Sequence, residues 1–253
     1  MKQIAHIETP FRQKFGVPRQ AGLVDCEGRV VFEPEYRVAE AVRGLEEFDY
    51  VWLIWKFHLN GLRDGESSSL RDGETRGAQD LMSSGLEVLK SDGWSPTVRP
   101  PRLGGNKRVG VFATRSPFRP NAIGLSSVRL LRVAQEPGVG PVLYVGGADL
   151  VDGTPIFDIK PYVAYADAHP QARSGFAQEA PSAALGVVDD HGLLLQLPEE
   201  RRNALVQTLA HDPRPHYQHD PQRVYAFFFD RWEVLFRVGE GCVEVVDVRP
   251  EAC

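Results

Sequence analysis

The sequence predicts a mainly β protein, with an antiparallel β-barrel over residues 1–170 followed by a small α+β domain over residues 185–253. Short apolar runs, punctuated by Gly, Pro, Asn and Asp, recur through the first two-thirds of the chain, where only one stretch has a helical period. A linker rich in Ala, Ser and Pro spans Ala168 to Ala184, and the pattern restarts after it. No GxGxxG, GxxxxGKS/T or HExxH occurs, so the barrel is expected to be unrelated to Rossmann, P-loop and zinc-protease folds.

Taken in order, the strand candidates of the larger domain are Gln3 to Ile7, Arg29 to Phe32, Tyr50 to Phe57, Lys107 to Ala113, Leu125 to Ala134, Val142 to Ala148 and Pro155 to Lys160. Glu35 to Leu45 predicts a helix, with Val38, Ala41, Val42 and Leu45 on one face. Tyr50 to Phe57 is almost wholly apolar, which predicts a central strand covered on both faces. Residues 60–94 are dense in Gly, Ser, Asp and Glu, carry LRDGE twice, and read as a mobile surface insertion. In the small domain, Leu185 to Leu197 predicts a hairpin about Asp190, His191 and Gly192, and Pro198 opens a helix through Ala210. Strands at Arg223 to Phe229, Trp232 to Val238 and Cys242 to Val248 complete it.

The composition, 42% hydrophobic and 25% charged over 253 residues, is that of an ordinary globular chain able to bury a sizeable core. Met1 to Pro10 has no apolar signal region and no run is long enough to span a membrane, so a cytoplasmic protein without a membrane partner is expected. Cys26, Cys242 and Cys253 are far apart and form no CxxC, which predicts reduced thiols.

Charge is the sharpest functional signal. Between Asp92 and Glu136 stand Arg99, Arg102, Lys107, Arg108, Arg115, Arg119, Arg129 and Arg132 without one acidic residue, in a chain of formal net charge -5. Nucleic acid is the leading partner for such a segment; the competing reading pairs the arginines with carboxylates elsewhere. Polar clusters at Pro18-Arg19-Gln20, at His58 with Asn60, and from Asp149 through Pro155 into Tyr162 lie at strand ends, where a barrel gathers ligand-binding groups. His58 also reads as a core histidine ending a strand. Asp158 and Lys160 share one strand face and compete between catalysis and a plain salt bridge. The histidines of HDPRPHYQHD, from His211 to Asp220, sit on one proline-stiffened loop, so no metal site is expected and Arg214 and His216 read as RNA-backbone contacts.

Four motifs in order complete the reading: TPFRQKFGVPRQ (Thr9 to Gln20), AVRGLEEFDYVWLIWKFH (Ala41 to His58), RPPRLGGNKRVGVFATRSPFRPNAIGLS (Arg99 to Ser126) and DLVDGTPIFDIKPY (Asp149 to Tyr162). With LAHDPRPHYQ (Leu209 to Gln218), they make the chain resemble the TrmO family, also called YaeB or TsaA-like proteins, along nearly its whole length. That resemblance implies a β-barrel methyltransferase that uses S-adenosylmethionine to methylate the exocyclic nitrogen of threonylcarbamoyladenosine beside the tRNA anticodon. It implies a homodimer, and a cofactor site lined by Pro18, Arg19, Gln20, His58, Leu59, Arg115, Leu125, Asp152, Gly153, Thr154 and Pro155. Chemistry and position add Asp158 and Asp152 as candidates to take or polarise the proton, and Lys160 and Tyr162 to orient the base. Arg119 or Arg115 would pair with the threonyl carboxylate. The tRNA contacts would come from Arg99, Arg102, Lys107, Arg108, Arg119 and Arg214. A non-catalytic RNA-binding or regulatory protein and a small-molecule methyltransferase are the alternatives.

Overall fold

The computed structural model describes residues 1–59, 94–100, 103, 107–178, 185–214 and 220–251. Six strands close an antiparallel barrel: β1 (Ala5–Glu8), β2 (Glu27–Phe32), β3 (Tyr50–Lys56), β6 (Ile123–Glu136), β7 (Gly140–Gly146) and β8 (Thr154–Pro161). They run round the wall as β1-β2-β7-β6-β3-β8, with β8 returning to β1. A separate two-stranded ribbon pairs β4 (Thr97–Val98) with β5 (Val109–Gly110). One turn of helix, α1 (Ala164–Asp167), follows the barrel. The small domain holds β9 (Gly186–Val188), α2 (Glu199–Ala210), β10 (Tyr225–Phe229), β11 (Trp232–Val238) and β12 (Cys242–Pro250), in the sheet order β10-β11-β12-β9.

The barrel interior is filled by alternate residues of its strands, among them Ile7, Val30, Val51, Leu53, Trp55, Val128, Leu143, Val145 and Ile156. The second core gathers Leu205 and Leu209 of α2 with Phe227, Phe229, Val234, Phe236 and Val243 of the sheet. Phe11, Val24 and Cys26 belong to this second core although they precede β2, and Phe15 and Val17 pack against it. The chain between β1 and β2 therefore leaves the barrel, is pinned into the small domain, and returns. Phe15 stacks on Tyr225 and Phe236. Gly16 has φ +93, and a Cβ there would come within 2.6 Å of the Phe227 ring, so only glycine lets the backbone lie on that ring.

Four sequence expectations are corrected. The stretch Glu35 to Leu45 forms no α-helix but three short 3-10 turns, because Val38 and Arg43 are extended and of the apolar stripe only Val42 is buried. β3 is not covered on both faces: Val51, Leu53 and Trp55 point inward, while Tyr50 is 44% exposed and Trp52 and Ile54 are half-buried. Of Lys107 to Ala113 only β5 is extended; Val111–Ala113 is a turn whose Val111 is buried and whose Phe112 is 78% exposed. Leu185 to Leu197 makes no hairpin. The Asp189 carboxylate accepts the N–H groups of Leu193 and Leu194 at 2.8 and 2.9 Å, which bends the chain into a 3-10 turn, and β9 pairs parallel to β12 instead.

Candidate active site

Two loops at one end of the barrel, the excursion 9–26 between β1 and β2 and the connection 147–153 between β7 and β8, carry Pro18, Arg19, Gln20, Asp152 and Gly153 of the residues expected at a cofactor site. They are laced together. Thr9 donates its N–H to Asp152 Oδ1 at 2.9 Å and its hydroxyl to the Leu150 carbonyl at 2.9 Å. Asp152 and Gly153 donate N–H groups to the carbonyls of Phe11 and Ile7, and Gly22 to that of Gly147, all at 2.8 Å. Asp152 therefore holds the start of the excursion in place while remaining exposed.

His58, two residues beyond β3, meets this frame through Thr154. Thr154 Oγ1 donates its single hydrogen to the Val151 carbonyl at 2.6 Å, so the longer 3.4 Å contact with His58 Nδ1 requires the imidazole to be the donor there. In that tautomer Nε2 keeps its lone pair. Burial lowers the His58 pKa below its usual 6.5; the carboxylate of Asp152 pulls the other way and Lys14 adds to the lowering. His58 is neutral at physiological pH. Leu59 beside it is half-buried, as are Pro155 and Pro18.

A second cluster joins the same loops to the basic segment. Arg115 Nη1 donates to Gln20 Oε1 at 2.7 Å. Next to Gln20, the N–H of Ala21 reaches the carboxylate of Asp149, which also accepts the Ser126 hydroxyl at 2.6 Å and feels the charge of Arg115. Trp55 Nε1 in turn donates to Ser126 Oγ at 3.0 Å. The indole reaches that far because the facing residue on β6 is Gly124, where a Cβ would lie 2.2 Å from the ring. Burial raises the Asp149 pKa above the ordinary carboxylate value, against the bonds that hold it down. Sequence reasoning quoted Asp149 without a role and missed Ser126 and Trp55. Two aspartates three apart in DLVDGT were the available signal, but nothing in the sequence told the buried one from the exposed one.

The remaining expected residues lie apart from these clusters. Pairing between β3 and β8 slips by one residue, so that Trp55 faces Ile156 and Ile54 faces Asp158. The extra residue, Phe157, reverses the alternation and turns Asp158 and Lys160 outward, where they form an exposed ion pair at 3.2 Å. Along the strand Asp158 is roughly 13 Å beyond Thr154. Tyr162 rests against Tyr50 and Trp52 on the same outer wall, and Leu125, 52% exposed, lies opposite Ile54.

The tRNA-methyltransferase O N-terminal domain family matches residues 6–80 and 81–168, and the TrmO C-terminal domain family matches residues 193–251. The chain belongs to the TrmO family. As a TrmO chain it is a methyltransferase built on a barrel, not on a Rossmann fold. It is 38% identical over 258 residues to the tRNA (adenine(37)-N6)-methyltransferase of Escherichia coli (strain K12), covering 98% of this chain and 97% of that relative. A putative S-adenosylmethionine-dependent methyltransferase, RcsF, of Pseudomonas aeruginosa is 39% identical over 233 residues, covering 88% of this chain and 85% of the relative. The crystal structure of TrmO from Pseudomonas aeruginosa superposes with a TM-score of 0.67 at 30% identity, over 98% of this chain and 96% of that one.

In this TrmO chain the basic residues fall into three groups. Arg129 and Arg132 pair with Asp25 and Glu27 at 2.8 and 2.7 Å, and Arg132 also covers the Tyr144 ring. Arg119 turns inward and donates to the carbonyls of Val111, Thr114 and Ser116, stapling its own loop. Among the described residues Arg99, Lys107, Arg108 and Arg115 are in no ion pair with a carboxylate; Arg108 bonds only the Thr97 hydroxyl. Arg102 and His216 lie outside the described residues. Arg214 is folded onto Asp212 at 3.0 Å, and the Asp212 carbonyl accepts Arg19 at 3.2 Å, so the small domain's HDPR loop adjoins the Pro-Arg-Gln segment. No group of three potential metal ligands occurs and no helix is long and apolar enough to cross a membrane, among the described residues.

Proposed function

We propose that this chain transfers a methyl group from S-adenosylmethionine to the exocyclic nitrogen of threonylcarbamoyladenosine beside the tRNA anticodon. The observation that carries the reading is the lacing of loops 9–26 and 147–153, which sets the Arg115–Gln20 pair and neutral His58 on one frame. The names of the relatives above support tRNA as substrate and S-adenosylmethionine as donor.

The donor set fits such a cofactor. Bound there, S-adenosylmethionine supplies an electrophilic methyl on a cationic sulfur. A neutral imidazole at His58 does not repel that charge, and Asp152 beside it is complementary to it. Arg115, fixed by Gln20, offers its remaining guanidinium N–H groups to a carboxylate. Methyl transfer asks for an in-line approach and for removal of one proton from a weakly nucleophilic ureido nitrogen, so positioning and charge do most of the work. In this reading His58 Nε2 and the Asp152 carboxylate accept that proton, while Asp158, Lys160 and Tyr162 lie on the outer wall. This reading assigns no step to a metal.

In this reading residues 1–170 are the catalytic domain and residues 185–253 add tRNA contacts, with Arg99, Lys107 and Arg108 meeting phosphates. The exposed wall of Tyr50, Leu125 and Leu131 is then the contact of a homodimer. Mass spectrometry of nucleosides, after incubation with S-adenosylmethionine and tRNA bearing or lacking the threonylcarbamoyl group, tests the reaction. One added methyl on threonylcarbamoyladenosine alone is expected; methylation of the unmodified tRNA, or of neither, overturns the substrate.

A further inference from the structure

Two of the most exposed rings of the chain, Phe112 at 78% and Phe118 at 53%, sit in the loop that also carries Arg115 and Arg119. The backbone on either side of each ring is held. Val111 is buried and donates its N–H to the Pro96 carbonyl at 3.0 Å; Thr114 Oγ1 donates to the Val111 carbonyl at 2.8 Å. Phe118 donates its N–H to Ser116 Oγ at 3.3 Å and accepts the Ser95 N–H at 3.0 Å. The Arg119 staple ties the carbonyl of Val111, just before Phe112, to the residue after Phe118. Both rings thus stand in solvent on a loop too constrained to fold them away. Among the described residues neither lies against another aromatic ring.

We infer that Phe112 and Phe118 are stacking surfaces for unpaired bases of an RNA loop. The inference rests on the tRNA reading above and deepens it. An aromatic face accepts any base, whereas cations beside it neutralise the phosphates, and this pairing of features marks single-stranded nucleic-acid sites. Here the cations are Arg99, Lys107 and Arg108, unpaired with any carboxylate among the described residues, in the segment between Asp92 and Glu136 that holds no acidic residue. A second copy of the chain is a poorer occupant. A two-fold contact through this loop brings the same uncompensated cations toward one another.

Phe112→Leu and Phe118→Leu keep apolar bulk and remove the aromatic face; Phe112→Trp keeps the face. Affinity for tRNA is measured across a salt series, with S-adenosylmethionine affinity, sedimentation and thermal unfolding alongside. Each leucine variant should bind tRNA between about 5-fold and 10²-fold more weakly, with an unchanged slope of log affinity against log salt, because no phosphate contact is lost. Cofactor affinity, oligomeric state and unfolding should be unchanged. Phe112→Trp should bind as the wild type does and lose fluorescence when tRNA is added. Wild-type tRNA affinity in both leucine variants, while Lys107→Ala weakens binding, overturns stacking and leaves the tRNA reading standing. Loss of the oligomer in the leucine variants assigns the rings to a subunit contact instead. Failure of the wild-type protein to bind tRNA at all overturns both readings together.

Discussion

Arg115 Nη1 donates to Gln20 Oε1 at 2.7 Å, and that bond joins the basic loop after β5 to the excursion between β1 and β2. A charge-assisted bond of this kind both aims the guanidinium and holds the loop. Replacing Gln20 with alanine should weaken S-adenosylmethionine binding by about tenfold or more, the scale of a lost hydrogen bond to a charged group. Thermal unfolding should move little, since the pair is exposed. Calorimetry on the two proteins checks this; equal affinities would leave Arg115 without a role in the cofactor site.

Gly124 faces Trp55 across β3 and β6, where the indole occupies the space of a Cβ. Gly124→Ala should push the ring from Ser126 and so release Asp149. The expected cost is about 1–3 kcal/mol of stability from overpacking, measured by urea unfolding, with weakened cofactor binding in the protein that still folds. A variant of wild-type stability would mean the barrel wall shifts to admit the methyl group.

The lowered His58 pKa fixes the sign of two pH effects. As pH falls through 6.5 the unfolded chain takes up a proton that the folded imidazole resists, so wild-type stability should fall relative to a His58→Asn variant. Once the folded imidazole is protonated, below that value, it repels a sulfonium and cofactor affinity should drop. Titrations across about pH 5 to 8 on both proteins separate the effects. Affinity that rises on acidification would contradict a neutral His58 at the site.

Asp158 and Asp152 give opposite expectations. Asp158→Asn breaks an exposed pair with Lys160 and should cost under about 1 kcal/mol of stability, with turnover retained. Asp152→Asn removes a carboxylate beside His58 and should cut single-turnover methylation by about 10²-fold. The reverse pattern would move the chemistry to the outer wall.

Much of the barrel was legible because inward and outward residues alternate along antiparallel strands: Leu125 to Ala134 and Pro155 to Lys160 fall within observed strands, and Val142 to Ala148 overruns β7 by two residues. What failed was local periodicity overruled by packing. Glu35 to Leu45 has a helical stripe but buries only Val42, and Asp189 turns the chain where alternation asked for a hairpin. At the site, a strand slip at Phe157 leaves no mark in the sequence yet decides which way Asp158 points. The burial of Asp149 and the inward turn of Arg119 depend on contacts from residues far along the chain. The basic segment was visible as a charge excess, but its division into paired, stapled and unpaired arginines was not.

A calorimetric titration of the full chain with S-adenosylmethionine, without added metal, tests whether loops 9–26 and 147–153 form the methyl-donor site. Saturable binding by the wild type is expected, which Arg115→Ala and Gln20→Ala each weaken while their unfolding profiles stay unchanged. No heat at protein concentrations well above micromolar, or wild-type affinity in both variants, would contradict it.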